Sequence, residues 1–170
     1  MDRDTTSSGI SDCANSVTAD QTSVTFHEHP DECDRTQTSA FFRAPSTPGA
    51  ITELRQRIVA FMSTPSLSSQ ELTDLALAIG EACTNAMRHG SPRGSLDEVV
   101  VKCVKEPHRL VVEISDSGYG FDPAAVPMPS AEQLKEGGMG IFLMRTCVDK
   151  VEFGFGPGTT VRLVKYCRSS

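Results

Sequence analysis

RLVVEISDSGYG, residues 109–120, is a strand that runs straight into a glycine turn. Leu110, Val112 and Ile114 alternate with Val111, Glu113 and Ser115, the period of two expected of a pleated strand. The same parity puts Asp116 on the Leu-Val-Ile face, the one turned toward a core or a helix layer. An ionised carboxylate there needs a partner, because burying it unpaired is costly. Two partners fit: a donor on a bound ligand, or a backbone N–H in an Asx turn. Gly118 and Gly120 let the backbone bend sharply after it. A simple turn accounts for the glycines but not for the inward parity of Asp116.

Upstream, EACTNAMRHG, residues 81–90, closes a long helical pattern. Ser68 and Glu71 form a capping-box pair at its start. Leu72, Leu75, Ala76, Ile79, Cys83 and Ala86 then follow one stripe at i, i+3, i+4, i+7 spacing. At about 100° per residue, Glu81 lies roughly 180° from Leu72, with Asn85 about 40° further round. Both leave the apolar stripe and share one face. That face is either a solvated polar surface or an acid–amide pair with work to do.

Downstream, GGMGIFLM, residues 137–144, opens a helix near Gly140 that carries Ile141, Met144 and Val148 and ends near Asp149. Gly138 and Gly140 at such a start leave backbone N–H groups and the positive end of the helix dipole open to phosphate oxygens. Two commoner phosphate motifs are excluded. A Rossmann fingerprint needs a third glycine where Leu143 stands and a strand directly before, and a P-loop needs Gly-Lys, a dipeptide this chain lacks. Residues 121–136, rich in Pro, Ala and polar side chains, read as a loop or lid.

The remaining elements frame these three. Ser39 to Ala44 reads as a first, short strand. Thr47 caps a helix with Pro48 at its first position, and Ile51, Leu54, Ile58 and Phe61 carry it to about Met62. Glu98 to Lys105 pairs with Arg109 to Ser115 around Glu106-Pro107-His108. Val151 to Phe155 and Thr159 to Tyr166 form a closing hairpin, with Thr159, Val161 and Leu163 on its apolar face. The order predicts an α+β fold, a two-layer α/β sandwich with helices on one face of a mixed, mainly antiparallel sheet.

A chain of 170 residues suits one domain with some length to spare. Its net charge of −6 sits at one end, where eight acids in residues 1–35 face only Arg3 and Arg35. Residues 1–37, Ser/Thr-rich and without apolar periodicity, read as a disordered acidic tail, and 38–167 as the folded domain. A charge-neutral body without a basic run argues against a nucleic-acid surface. No apolar stretch approaches the ~18 residues of a membrane span. Six scattered cysteines without a Cys-x-x-Cys pair fit reduced thiols in a cytoplasmic protein.

Each candidate has a chemistry to match. A carboxylate at Asp116 accepts from an exocyclic amine, which adenine offers and guanine replaces with a carbonyl. Thr159 adds a hydroxyl near the same base. The amide oxygen of Asn85 is a hard donor suited to Mg²⁺, whose shell is completed by waters and substrate phosphates. Glu81, one turn earlier, is placed to accept a proton from an attacking hydroxyl. Arg88 serves either a phosphate or a surface ion pair, and His89 reads as a helix-end residue.

These three boxes, with Asn85-Ala86-Met87-Arg88-His89-Gly90, the run at 116–123 and the ending Gly158-Thr159-Thr160-Val161-Arg162-Leu163, resemble the Bergerat-fold ATPases. That superfamily includes gyrase, chaperone, mismatch-repair and histidine-kinase ATPase domains. Within it the chain is most similar to the bacterial anti-sigma factor serine/threonine kinases, over about residues 38–167. The resemblance implies ATP and Mg²⁺ as cofactors, Asn85 as metal ligand, Glu81 as catalytic base and Asp116 on the adenine amine. Gly118, Gly120, Gly138 and Gly140 would shape pocket and lid, and Thr159 would lie near the base. It also implies phosphorylation of an anti-anti-sigma factor protein, sequestration of a sigma factor, and a homodimer. A nucleotide-gated binding module with little phosphotransfer is the alternative. Residues 1–37 carry no phospho-acceptor helix, which disfavours histidine phosphorylation in cis.

Overall fold

The computed structural model describes residues 25–29, 37–119 and 139–167. Six strands, β1 (Thr25–His29), β2 (Thr38–Pro45), β3 (Glu98–Glu106), β4 (Arg109–Ser115), β5 (Lys150–Phe155) and β6 (Thr159–Tyr166), form one sheet in the order β1-β2-β3-β4-β6-β5. All five described pairings are antiparallel. Three helices, α1 (Pro48–Met62), α2 (Ser69–His89) and α3 (Met139–Cys147), supply the second layer. The expected two-layer α/β sandwich is the fold.

Strand register explains the core. Ala40, Cys103, Val112, Leu163 and Val151 stand opposite one another across five strands, and Phe42, Val101, Ile114, Val161 and Phe153 form the next row. Both rows face the helices and pack with Leu54, Ile58, Leu75, Ile79 and Met144. Val104, Val111 and Val164, of opposite parity, make a small separate cluster on the other face. Beside them Arg162 bridges Glu113 and Glu152, each at 3.4 Å.

Helix ends sit where local chemistry sets them. Thr47 caps α1 by accepting from the Ala50 N–H, with Pro48 at the first turn. Ser68 and Glu71 close a reciprocal capping box on α2, the Ser68 Oγ accepting from the Glu71 N–H and the Ser68 N–H donating to Glu71 Oε2. The predicted stripe of α2 widens, since Ala78, Gly80 and Ala82 are buried too. The cause is its central place in the layer, in contact with both α1 and α3. At Gly80 the Arg55 guanidinium of α1 lies so close that a Cβ would meet it at 2.5 Å.

One boundary is corrected. Thr25–His29, assigned by composition to a disordered tail, forms edge strand β1, with Phe26 opposite Phe42. The segment at 38–45 is therefore the second strand of the sheet, not the first. TFHEH holds a single strongly apolar residue, and an edge strand gains its place through backbone pairing, which no hydrophobic alternation announces. The remainder of that tail and the expected lid at 121–136 lie outside the described residues.

Candidate functional site

The second half of α2 passes Glu81 and Asn85 toward the start of α3. Between them Cys83 turns the other way, fully buried in the core, and burial pushes its thiol up to about 12 despite the Arg55 charge nearby. Cys103 on β3 is pushed up likewise by burial, and both thiols stay protonated structural groups. Glu81 and Asn85, by contrast, are half-buried on the opposite side. There they meet Gly140, in the first turn of α3. A Cβ at Gly140 would stand 2.9 Å from Glu81 Oε2, 3.3 Å from Asn85 Nδ2 and 3.7 Å from Asn85 Oδ1. The absent side chain leaves a cradle bounded by an acid, an amide and the opening backbone of a helix.

The C-cap of α2 meets the glycine turn after β4. Asp116 points to the helix side, as strand parity requires, and its carboxyl rests against Gly90 at the C-cap of α2. Of the two sequence readings of this carboxylate, the Asx turn is present. Oδ1 accepts from the Gly118 N–H at 2.9 Å, an Asx turn, and from the Thr159 N–H at 3.0 Å. The Asp116 N–H in turn donates to the Thr159 carbonyl at 3.0 Å, so the turn and β6 are tied in both directions. Oδ2 has no donor among the described residues. The carboxylate is half-buried, with Oδ1 anchored by two backbone donors.

Two glycines to which the sequence reading gave no role in the site make this possible. Gly90 has φ of −98°, an angle any residue adopts, so its role is not conformational. A Cβ there would overlap the Asp116 side chain. Gly158, in the turn before β6, would overlap the Asp116 carbonyl with its Cβ, and Gly118 would bring a Cβ within 2.6 Å of Gly90 Cα. The signal that could have found them is indirect: Gly90 closes the run at 81–90, and Gly158 directly precedes Thr159.

The structure thus gathers Glu81, Asn85 and Gly140 at one place, and Asp116, Gly118 and the buried Thr159 at another, joined by the last turns of α2. Gly120 and Gly138 lie outside the described residues. Arg88 and His89 are exposed on the last turn of α2, and no ion pair among the described residues includes Arg88. The arrangement brings together two carboxylates, an amide oxygen and the first turn of a helix.

Comparison with known proteins identifies the family. Residues 44–165 match the histidine kinase-like ATPase domain. The chain is similar to the serine-protein kinase RsbW of Bacillus licheniformis, 31% identical over 133 residues, covering 73% of this chain and 82% of the relative. RsbW of Bacillus subtilis (strain 168) is also 31% identical, over 132 residues and the same shares. RsbW of Listeria monocytogenes serotype 4a (strain HCC23) is 29% identical over 131 residues, 72% of this chain and 83% of the relative.

Proposed function

The chain belongs to the histidine kinase-like ATPase family, among its serine-protein kinases, and on that premise we propose that it is an ATP-dependent protein serine/threonine kinase acting as an anti-sigma factor. The observation that carries the reading is the convergence of Glu81 and Asn85 on the side-chain-free Gly140 at the opening of α3. Asp116, through Oδ2, accepts from the adenine amine, and Thr159 lies beside it. The N–H groups at the start of α3 bind phosphate oxygens. Glu81 accepts the proton of the incoming serine or threonine hydroxyl as its oxygen bonds to the γ-phosphorus and the bond to the β-phosphate oxygen breaks, releasing ADP.

Mg²⁺ fits the same cradle. The Asn85 amide oxygen would hold the ion, with phosphates and water as its other oxygen donors. When bound, the ion neutralises phosphate charge. The phospho-acceptor is an anti-anti-sigma factor protein, and the sequestered partner is a sigma factor in the cytoplasm, held by a homodimer without direct nucleic-acid contact. The experiment is transfer of label from γ-labelled ATP, with Mg²⁺, to a candidate anti-anti-sigma protein. Labelling of a serine or threonine is expected. An unlabelled partner, with a related kinase active in parallel, would contradict the proposal.

A further inference from the structure

We propose that Gly90 is a positioning residue for base recognition, acting through Asp116; the inference rests on the reading of Asp116 as the adenine acceptor. Gly90 caps α2 five residues beyond Asn85, where its backbone needs no glycine. Its missing side chain is needed elsewhere, because the atoms that a Cβ would overlap are Asp116 Cβ, Cγ and Oδ2. Oδ2 is the oxygen without a donor among the described residues, while Oδ1 is fixed by the N–H groups of Gly118 and Thr159. A methyl at position 90 therefore turns the carboxylate about its anchored oxygen or pulls it off both donors. Either movement shifts Oδ2 away from the amine.

Gly158 behaves differently. Its Cβ would overlap the Asp116 carbonyl, so a side chain there displaces backbone and the β4–β6 junction with it. Among the described glycines, Gly90 is the one whose Cβ would meet the side chain. It also makes the base end of the site depend on the helix that carries Glu81 and Asn85, since Gly118 packs on its Cα.

The test compares ATP with purine riboside triphosphate, which lacks the 6-amino group, by calorimetric titration of the full chain with Mg²⁺. The parent protein should prefer ATP at least tenfold. Gly90→Ala should lose most of that preference while its affinity for the 6-deamino nucleotide stays within a few fold, a ratio that a general loss of structure would not move. A parent without preference removes the reading of Asp116 itself. A parent with preference that Gly90→Ala retains overturns the role of Gly90 alone. Should Gly90→Ala not fold, Gly90→Ala combined with Asp116→Gly settles the point: recovery to the melting temperature of Asp116→Gly supports the clash, and no recovery overturns it.

Discussion

Glu81 and Asn85 are one helical turn apart, and the proposed mechanism gives them separate duties. Replacing Glu81 with Ala removes the proposed proton acceptor and leaves the amide and Gly140 in place. Phosphotransfer should fall by about 10²–10⁴-fold, the usual contribution of general base catalysis, with ATP affinity close to that of the parent. Single-turnover transfer and nucleotide titration check the two halves; undiminished transfer would assign the base elsewhere. Both residues were legible from helical periodicity because their face depends only on the local 3.6-residue turn. Gly90 was not legible for the opposite reason. Its constraint comes from Asp116, 26 positions away and on another element, and nothing in the neighbouring sequence encodes that approach.

Two local locks hold the elements that carry the site. The Ser68–Glu71 capping box starts α2 at the predicted residue, and Ser68→Ala should destabilise the protein by about 1 kcal/mol in denaturant unfolding, the central value for a lost N-cap. An unchanged midpoint would show that packing alone sets this helix end. At the entry to β3, the buried Asp97 carboxylate accepts from the Arg93 N–H and from Arg93 Nε, each at 2.8 Å, while its carbonyl takes the Ser46 N–H. The backbone bond first, and the guanidinium second, hold its pKa below the ordinary carboxylate value. A folded-state pKa below the unfolded value of about 3.9 gives stability that is full above that pH and lost as pH falls through the folded value. Unfolding midpoints measured from pH 5 down to pH 3 should therefore drop less steeply in Asp97→Asn than in the parent. Equal slopes would contradict it. Caps and alternating strands were readable because they are local; β1 was not, since TFHEH pairs along a sheet edge with no apolar alternation to mark it.

At the scale of the whole molecule, α2 spans the site from the Gly140 cradle to the Asp116 carboxylate, and the sheet beneath fixes both ends. Two apolar rows crossing five strands make that platform, so the order β2-β3-β4-β6-β5 places Asp116 and Thr159 on adjacent strands ending on the helix side. The fold class followed from the sequence because each row alternates in register. Its antiparallel completeness and the tie between Asp116 and Thr159 arise from pairing between segments 43 residues apart, which periodicity does not report. The central claim is that one ATP molecule is held both at the Gly140 cradle and at the Asp116 carboxylate, joined by the last turns of α2. A crystal structure with Mg²⁺ and a non-hydrolysable ATP analogue tests it most directly. The account predicts the adenine amine on Asp116 Oδ2 and the metal on Asn85 Oδ1; an analogue bound elsewhere, or with its base turned away from Asp116, would contradict it.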